Sequence, residues 1–280
     1  MRLNRQSKFE PFGVSDERYH LRDGNDGIVQ GLAGRLRTPV GTGARLTKLA
    51  RNATGRYQLY VNGSTRPELA DAVVLAIPFT VLRQVDLDSS LGLSADKQRA
   101  IATLGYGTNS KTMVVFNGRP WEELHGSSGG VYSDLRNLQN AWETNRGRSQ
   151  EFGIITDYAS GERGASLRTR QIQNQVDVFL TAFDGVLPGM KARAATRSGK
   201  YVAHLEHWPS NPNALGSYTC YMPGQFTTVA GLEGKAAGLM KFAGEHADSF
   251  YSWQGYMEGA CLSGIRAANE ILADIKSGLL

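Results

Sequence analysis

The chain is poor in cysteine. Cys220 and Cys261 are its two thiols in 280 residues, far apart and without a CxxC or Cys/His ligand spacing. That excludes a zinc site and a disulfide framework from the expected chemistry and leaves buried free thiols as the default. Long apolar runs are missing as well: the longest, Ala72 to Ile77, is too short to cross a bilayer. There is no Lys/Arg block and no aromatic platform interleaved with basic residues. The formal charge of +5, from 31 basic and 26 acidic residues, is spread along the chain, which argues against nucleic-acid binding. The start, MRLNRQSKFEPFG, lacks the apolar core of a secretory signal, so a cytoplasmic location is expected. No fixed-period repeat is visible.

What the sequence does have is 41% hydrophobic residues, enough for one large domain or two intimate ones. The stretch LMKFAGEHADSFYSWQGYMEGACLSGIRAANEILADI, residues 239 to 275, organises the rest. It reads as a short apolar strand, a polar loop and a long helix. Cys261, Gly264, Ile265, Ala268, Ile271, Leu272 and Ile275 recur at helical spacing, a stripe expected to face a core. Gly255, Gly259 and Ala260 crowd the helix start. Small residues there would let a large flat group lie against bare backbone, with unpaired N–H groups and the positive helix end facing it.

FAGEH followed by GYMEGA and a GxRAA helix resembles the C-terminal flavin segment of the flavin-dependent amine oxidases, the monoamine, polyamine and L-amino-acid oxidase group. The resemblance implies a mixed α/β, two-domain fold and FAD as cofactor. It divides the chain into an FAD-binding segment at 1–90, a substrate domain at 91–205 and a second FAD-binding segment at 206–280. The same stretch places Gly244, Glu245, Gly255 and Met257 at the cofactor.

Taken in order, Asp23 to Gly27 is a turn cluster, and Ile28, Leu32 and Leu36 predict a short helix over about Gly27 to Arg37. A strand follows at Ala44 to Ala50. In it Leu46 is either the adenine-side apolar contact that the resemblance implies or a plain core leucine. Gly55 to Pro67 reads as a polar hairpin turning at Asn62-Gly63. AVVLAI, residues 72 to 77, suits a strand buried on both faces. Pro78 and Phe79 are read equally as strand stop and core aromatic, or as backbone passing close to the dinucleotide. Ser94 caps a helix running to Thr103, and a strand is expected over Lys111 to Phe116. Asn117 to Arg148 shows no periodicity. Glu151 to Tyr158 reads as a strand, and Ile172, Val176, Phe179, Leu180 and Phe183 mark an amphipathic helix within 167–183. Tyr201 to Leu205 is strand-like.

Lys111 alone would be an exposed lysine at a strand start. In the context YGTNSK the resemblance makes it the lysine that reaches flavin N5 through a water. Trp208 and the pair Ser217-Tyr218 follow the spacing of monoamine oxidases between a flavin-side tryptophan and the residues beside the flavin ring. Ser217 stands where some members attach flavin through cysteine, so FAD is expected to be non-covalent. Tyr218 and Tyr256 align with the two walls of the family's aromatic pair. These residues imply oxidative deamination: hydride leaves the carbon next to nitrogen for a redox cofactor, since no side chain can accept it, and O2 reoxidises the flavin, giving H2O2. His204, His207 and His246 show no ligand spacing. Glu206, Asp248 and Glu258 read as exposed charge.

One element of the family is absent. No GxGxxG with an acidic residue some 20 positions later occurs, and Gly41-Thr42-Gly43 is too short. Two expectations follow. Either the chain is the later part of an amine oxidase acting on a small amine with O2, completed by an N-terminal partner segment or working as a homodimer. Or it is a non-catalytic remnant or interaction subunit that needs such a segment to hold FAD.

Overall fold

A computed structural model describes residues 2–3, 9–10, 19–249 and 253–280. The reading of residues 1–13 as lacking a signal falls mostly outside these, as does part of the loop before the last helix. The chain divides into two units, Met1–Arg45 and Leu46–Leu280.

In the first unit, β1 (Arg2–Leu3) pairs antiparallel with β2 (Phe9–Glu10). Helix α1 (Asp26–Ala33) follows, shorter than the spacing predicts because Gly34 already caps it.

The second unit opens with β3 (Leu46–Arg51), β4 (Tyr57–Val61) and β5 (Glu68–Ala70). They join β7 (Asp86–Leu87) in a four-stranded sheet ordered β5-β4-β3-β7. Asn62 (φ 53°) and Gly63 (φ 72°) make the expected turn after β4, both in the left-handed region that Asn and Gly tolerate. Between β5 and β7 lie β6 (Val73–Leu75) and α2 (Phe79–Leu82). In α3 (Ala95–Thr103) the Ser94 hydroxyl accepts from Lys97 N–H at 3.2 Å, the predicted cap, a bond of a kind that contributes about 1 kcal/mol.

Next come β8 (Ser110–Asn117), α4 (Pro120–His125), β9 (Val131–Leu135), β10 (Leu138–Glu143), β11 (Phe152–Ala159) and α5 (Gly161–Ser166). Then follow α6 (Ile172–Val186), α7 (Met190–Arg193), β12 (Thr196–Arg197), β13 (Lys200–Tyr201) and β14 (Ala203–His207). An antiparallel sheet runs β14-β8-β11-β10-β9. One face of it is dry. Val114 and Phe116 of β8 and Ile155 of β11 meet Val176, Phe179 and Phe183 of α6, the stripe that the spacing predicts. The other face carries Lys111, Met113 and Val115 of β8, alternating with the buried residues as strand geometry requires.

The chain ends with α8 (Gln225–Thr228), β15 (Met240–Phe242) and α9 (Met257–Lys276). β15 pairs parallel with β6. Phe79 and Phe242 meet edge to face at 5.9 Å in a second core, together with Leu49, Tyr57 and Leu82. Among the described residues no helix is long and apolar enough to cross a membrane.

Four expectations are corrected. Helix α9 buries Gly259, Ser263 and Ala267, while Cys261, Ala268, Ile265 (60% exposed), Leu272 (52%) and Ile275 (52%) face outward. Periodicity identified a two-sided helix, but the small residues, which allow close approach, turn to this chain's own core. Strand β6 is not buried on both faces: Val74 is exposed, because β15 is its one partner strand among the described residues. Cys220 and Cys261 are both exposed free thiols, since each sits on the outward side of its segment. Asp248 is buried, held beneath the first turn of α9, where a Cβ on Gly259 would come within 3.2 Å of its own Cβ.

Candidate active site

Pro78 ends β6 and opens α2, and the Phe79 N–H donates to Tyr106 Oη at 2.9 Å. Tyr106 lies opposite Thr219 in an antiparallel bridge. Around it Gly107 N–H donates to Tyr218 O (2.8 Å), Ser217 N–H to Gly107 O (2.9 Å) and Cys220 N–H to Gly105 O (2.9 Å). A Cβ on Gly107 would stand 2.4 Å from Ser217 Oγ, and one on Gly105 2.3 Å from Cys220 O. Only glycine lets these two stretches approach so closely.

The ribbon delivers Thr219 to Glu245, whose Oε1 accepts from the Thr219 N–H at 3.1 Å and hydroxyl at 3.0 Å. Glu245 Oε2 is buried and, among the described residues, accepts no hydrogen bond of normal geometry. Burial pushes the carboxyl pKa up, an effect that Thr219 and the Gly255 N–H partly offset. An orphaned buried acceptor is costly unless a ligand donates to it. Ahead of it, Gly244 has φ +109°, and Ser263 Oγ of α9 accepts its N–H at 3.0 Å and donates to its carbonyl at 2.9 Å. That pair of bonds fastens the end of β15 to the helix.

Replacing Glu245 with Gln gives a first test. The amide keeps an acceptor for Thr219 and removes the buried charge, so the flavin-free chain is expected to melt higher at neutral pH. The sign follows from linkage: a carboxyl whose folded pKa is raised costs stability above that pKa, and the cost disappears as pH falls to its ordinary value of 4.5. Melting curves of both proteins across this range should therefore converge on the acid side.

The helix start is less bare than the sequence implies. A Cβ on Gly259 would stand 2.2 Å from Trp253 O, so this glycine serves the chain's own packing. Gly255 has φ +87°, and a Cβ there would lie 3.7 Å from Tyr218 Cδ2. Tyr218 therefore stands against the residue immediately before Tyr256. The Tyr256 ring meets Trp253 edge-on at 5.9 Å, and both tyrosines are open to solvent. Met257 begins α9 with its side chain exposed. Trp208 is half-buried, and its carbonyl accepts from Gly216 N–H at 3.2 Å, one residue from Ser217. Leu46 packs against the core around Leu49 and Phe79.

Lys111 comes to the same place through residues that sequence reasoning missed. On β8 it lies between Tyr158 of β11 and Glu206 of β14 in register. Glu206 is turned to Asn211 (3.2 Å) and His204 (3.6 Å). No carboxylate reaches Lys111 among the described residues; its Nζ lies instead 5.8 Å from the ring centres of both Trp142 and Tyr158. Tyr158 Oη is 3.1 Å from Tyr218 Oη. Buried Asn109 donates to Tyr158 Oη and accepts from Ser217 Oγ at 2.7 Å. The strand alternation of 152–159 could have marked Tyr158 as sharing a face with Lys111; nothing in the sequence marks Trp142 as its neighbour.

The family model for flavin containing amine oxidoreductase matches residues 3–272. Polyamine oxidase 4 of Oryza sativa subsp. japonica is 28% identical over 87% of this chain and 47% of its own length. L-amino acid oxidase Bs29 of Bothriechis schlegelii is 22% identical over 93% of this chain and 51% of its own. In fold, a structure of putrescine oxidase bound to putrescine superposes with a TM-score of 0.75 at 17% identity, over 90% of this chain and 53% of that one. Cyclohexylamine oxidase from Brevibacterium oxydans IH-35A gives 0.69 at 19%, over 83% and 48%. The chain spans about half the length of the relatives it matches. With a family model matched along nearly its whole length, and that family's fold in its sheets and helices, this chain belongs to the flavin containing amine oxidoreductases.

Proposed function

We propose that this chain forms the flavin-ring and substrate side of an enzyme that oxidatively deaminates an amine or amino acid. The observation that carries the reading is Glu245, a buried carboxylate with one oxygen satisfied by Thr219 and the other left for a donor. A cofactor hydroxyl is such a donor, so these residues fit FAD. When bound, FAD supplies the two-electron acceptor for the hydride equivalent from the carbon next to nitrogen and passes the electrons to O2, giving H2O2.

The chain's own residues supply the rest. Glu245 would accept a hydrogen bond from the cofactor hydroxyl, Gly244 and Gly255 would keep the backbone open to it, and the Met257 N–H at the start of α9 would support negative charge on the ring. Pro78 and Trp208 border the same space, and Leu46 contributes an apolar contact on the adenine side. Ser217, in place of a cysteine, leaves the attachment non-covalent. Tyr218 and Tyr256 flank the substrate and align its C–H bond, while Lys111 holds an ordered water. Residues 1–90 and 206–280 belong to cofactor binding and 91–205 to substrate binding.

The second reading is a chain that holds FAD only with an N-terminal partner segment. It is favoured by the exposed stripe of α9 and by the missing GxGxxG. The visible spectrum of the purified chain separates the two. Flavin bands that bleach with a polyamine or an L-amino acid without air support an enzyme in itself; colour only after the N-terminal half of a relative is added places catalysis in the pair. A chain that takes up no flavin in either case overturns both.

A further inference from the structure

Lys111 and Tyr218 come from distant stretches of sequence, and neither touches the other directly in the contacts described above. Both touch Tyr158. Its ring lies 5.8 Å from Lys111 Nζ, and its hydroxyl is 3.1 Å from that of Tyr218. Lys111 has no carboxylate partner among the described residues, so the faces of Tyr158 and Trp142, themselves 5.6 Å apart, are what hold its ammonium. The Tyr158 hydroxyl is in turn fixed by buried Asn109, which also holds Ser217, the residue before Tyr218.

We propose that Tyr158 is a positioning residue that joins Lys111 to Tyr218, so that the ammonium and the phenol wall move as one unit. Asn109 sets the rotation of this joint and Trp142 closes the far side of the cation. The hydroxyl stays protonated: burial pushes its pKa up, and the neighbouring Tyr218 phenol adds to this. Tyr158 therefore enters the joint as a neutral phenol. The functional weight of the unit rests on the reading of Lys111 and Tyr218 given above, whereas the joint itself can be tested in the flavin-free chain.

The experiment is reductive methylation of the full chain's lysines with carbon-13 formaldehyde, followed by NMR of the methyl groups. Lys111→Arg, which deletes one signal, assigns Lys111. Its signal is expected upfield of the exposed lysines, because its methyl groups sit over two aromatic rings. Tyr158→Leu should return it to the exposed position while the signals of Lys200 and Lys276 stay in place, which shows that the fold survives. Tyr158→Phe keeps the ring and removes its hydrogen bonds to both Tyr218 and Asn109. It should shift the Lys111 signal at least as far as Tyr218→Phe does, and the double variant should shift it no further than Tyr158→Phe alone. A Lys111 signal indifferent to Tyr158→Leu, or phenylalanine effects that simply add, would overturn the joint. Because no flavin is involved, a chain that never takes up FAD would defeat the proposed function and leave these arms to be read by themselves.

Discussion

Replacing Trp121 with alanine is expected to cost about 3–5 kcal/mol of folding stability, the range for removing a fully buried large aromatic side chain. Trp121 is wholly enclosed, meets Phe116 edge to face at 5.4 Å, and donates its indole N–H to Glu143 Oε2 at 3.2 Å. The substitution opens a cavity and leaves the buried Glu143 carboxylate with Arg119, at 2.7 Å, as its side-chain partner among the described residues. Urea denaturation followed by far-UV circular dichroism measures the loss. A companion variant tests the cause. A Cβ on Gly153 would stand 2.3 Å from Trp121 Cη2, so Gly153→Ala should be strongly destabilising alone. In the Trp121→Ala background most of that cost should vanish, because the ring it strikes is gone. Additive costs would mean that the two positions do not share a contact.

Lys111→Met is expected to slow reoxidation of the reduced flavin by roughly 100-fold or more, the scale of removing one positioned polar group from a water-excluded site. FAD retention should be close to unchanged. The separation follows from the geometry: Lys111 stands on the open face of the antiparallel sheet with Trp142 and Tyr158, while Glu245, the proposed cofactor contact, lies across the ribbon at Thr219. Stopped-flow mixing of reduced protein with oxygen gives the rate, and equilibrium dialysis gives the retention. Equal damage to both would remove Lys111 from its proposed role. Methionine fills a similar volume, so the change tests the charge and its water.

Much of the fold could be read from the residues themselves. The Ser94 cap, the stripe of α6 and the strand at β8 depend on local sequence, and the structure places each within a few residues of its expected range. The hairpin of β9 and β10 left no such trace. Its strands are held by cross-strand register, with Ala141 opposite Val131 on one side and Asp157 on the other, and register is a property of two segments at once. The same limit explains the site. Glu245 and Tyr218 sit in motifs, whereas Asn109, Trp142 and Tyr158 matter through what they meet across the sheet. Helix α9 adds a different lesson. Its periodicity is real, but a hydrophobic stripe states only that two sides differ. Which side this chain covers is decided by Gly259, Ser263 and Ala267, whose size admits the loop at Trp253 and the end of β15.

The outward placement of the two cysteines gives the molecule ready points for chemical attachment. Cys220 follows Tyr218 by two residues, and its N–H is tied to Gly105, so a fluorophore or spin label on its sulfur would ride on the ribbon beside the tyrosine. With Cys261→Ser as the labelling background, a single probe would report entry of the proposed amine substrate, in real time and without any change in colour of the protein.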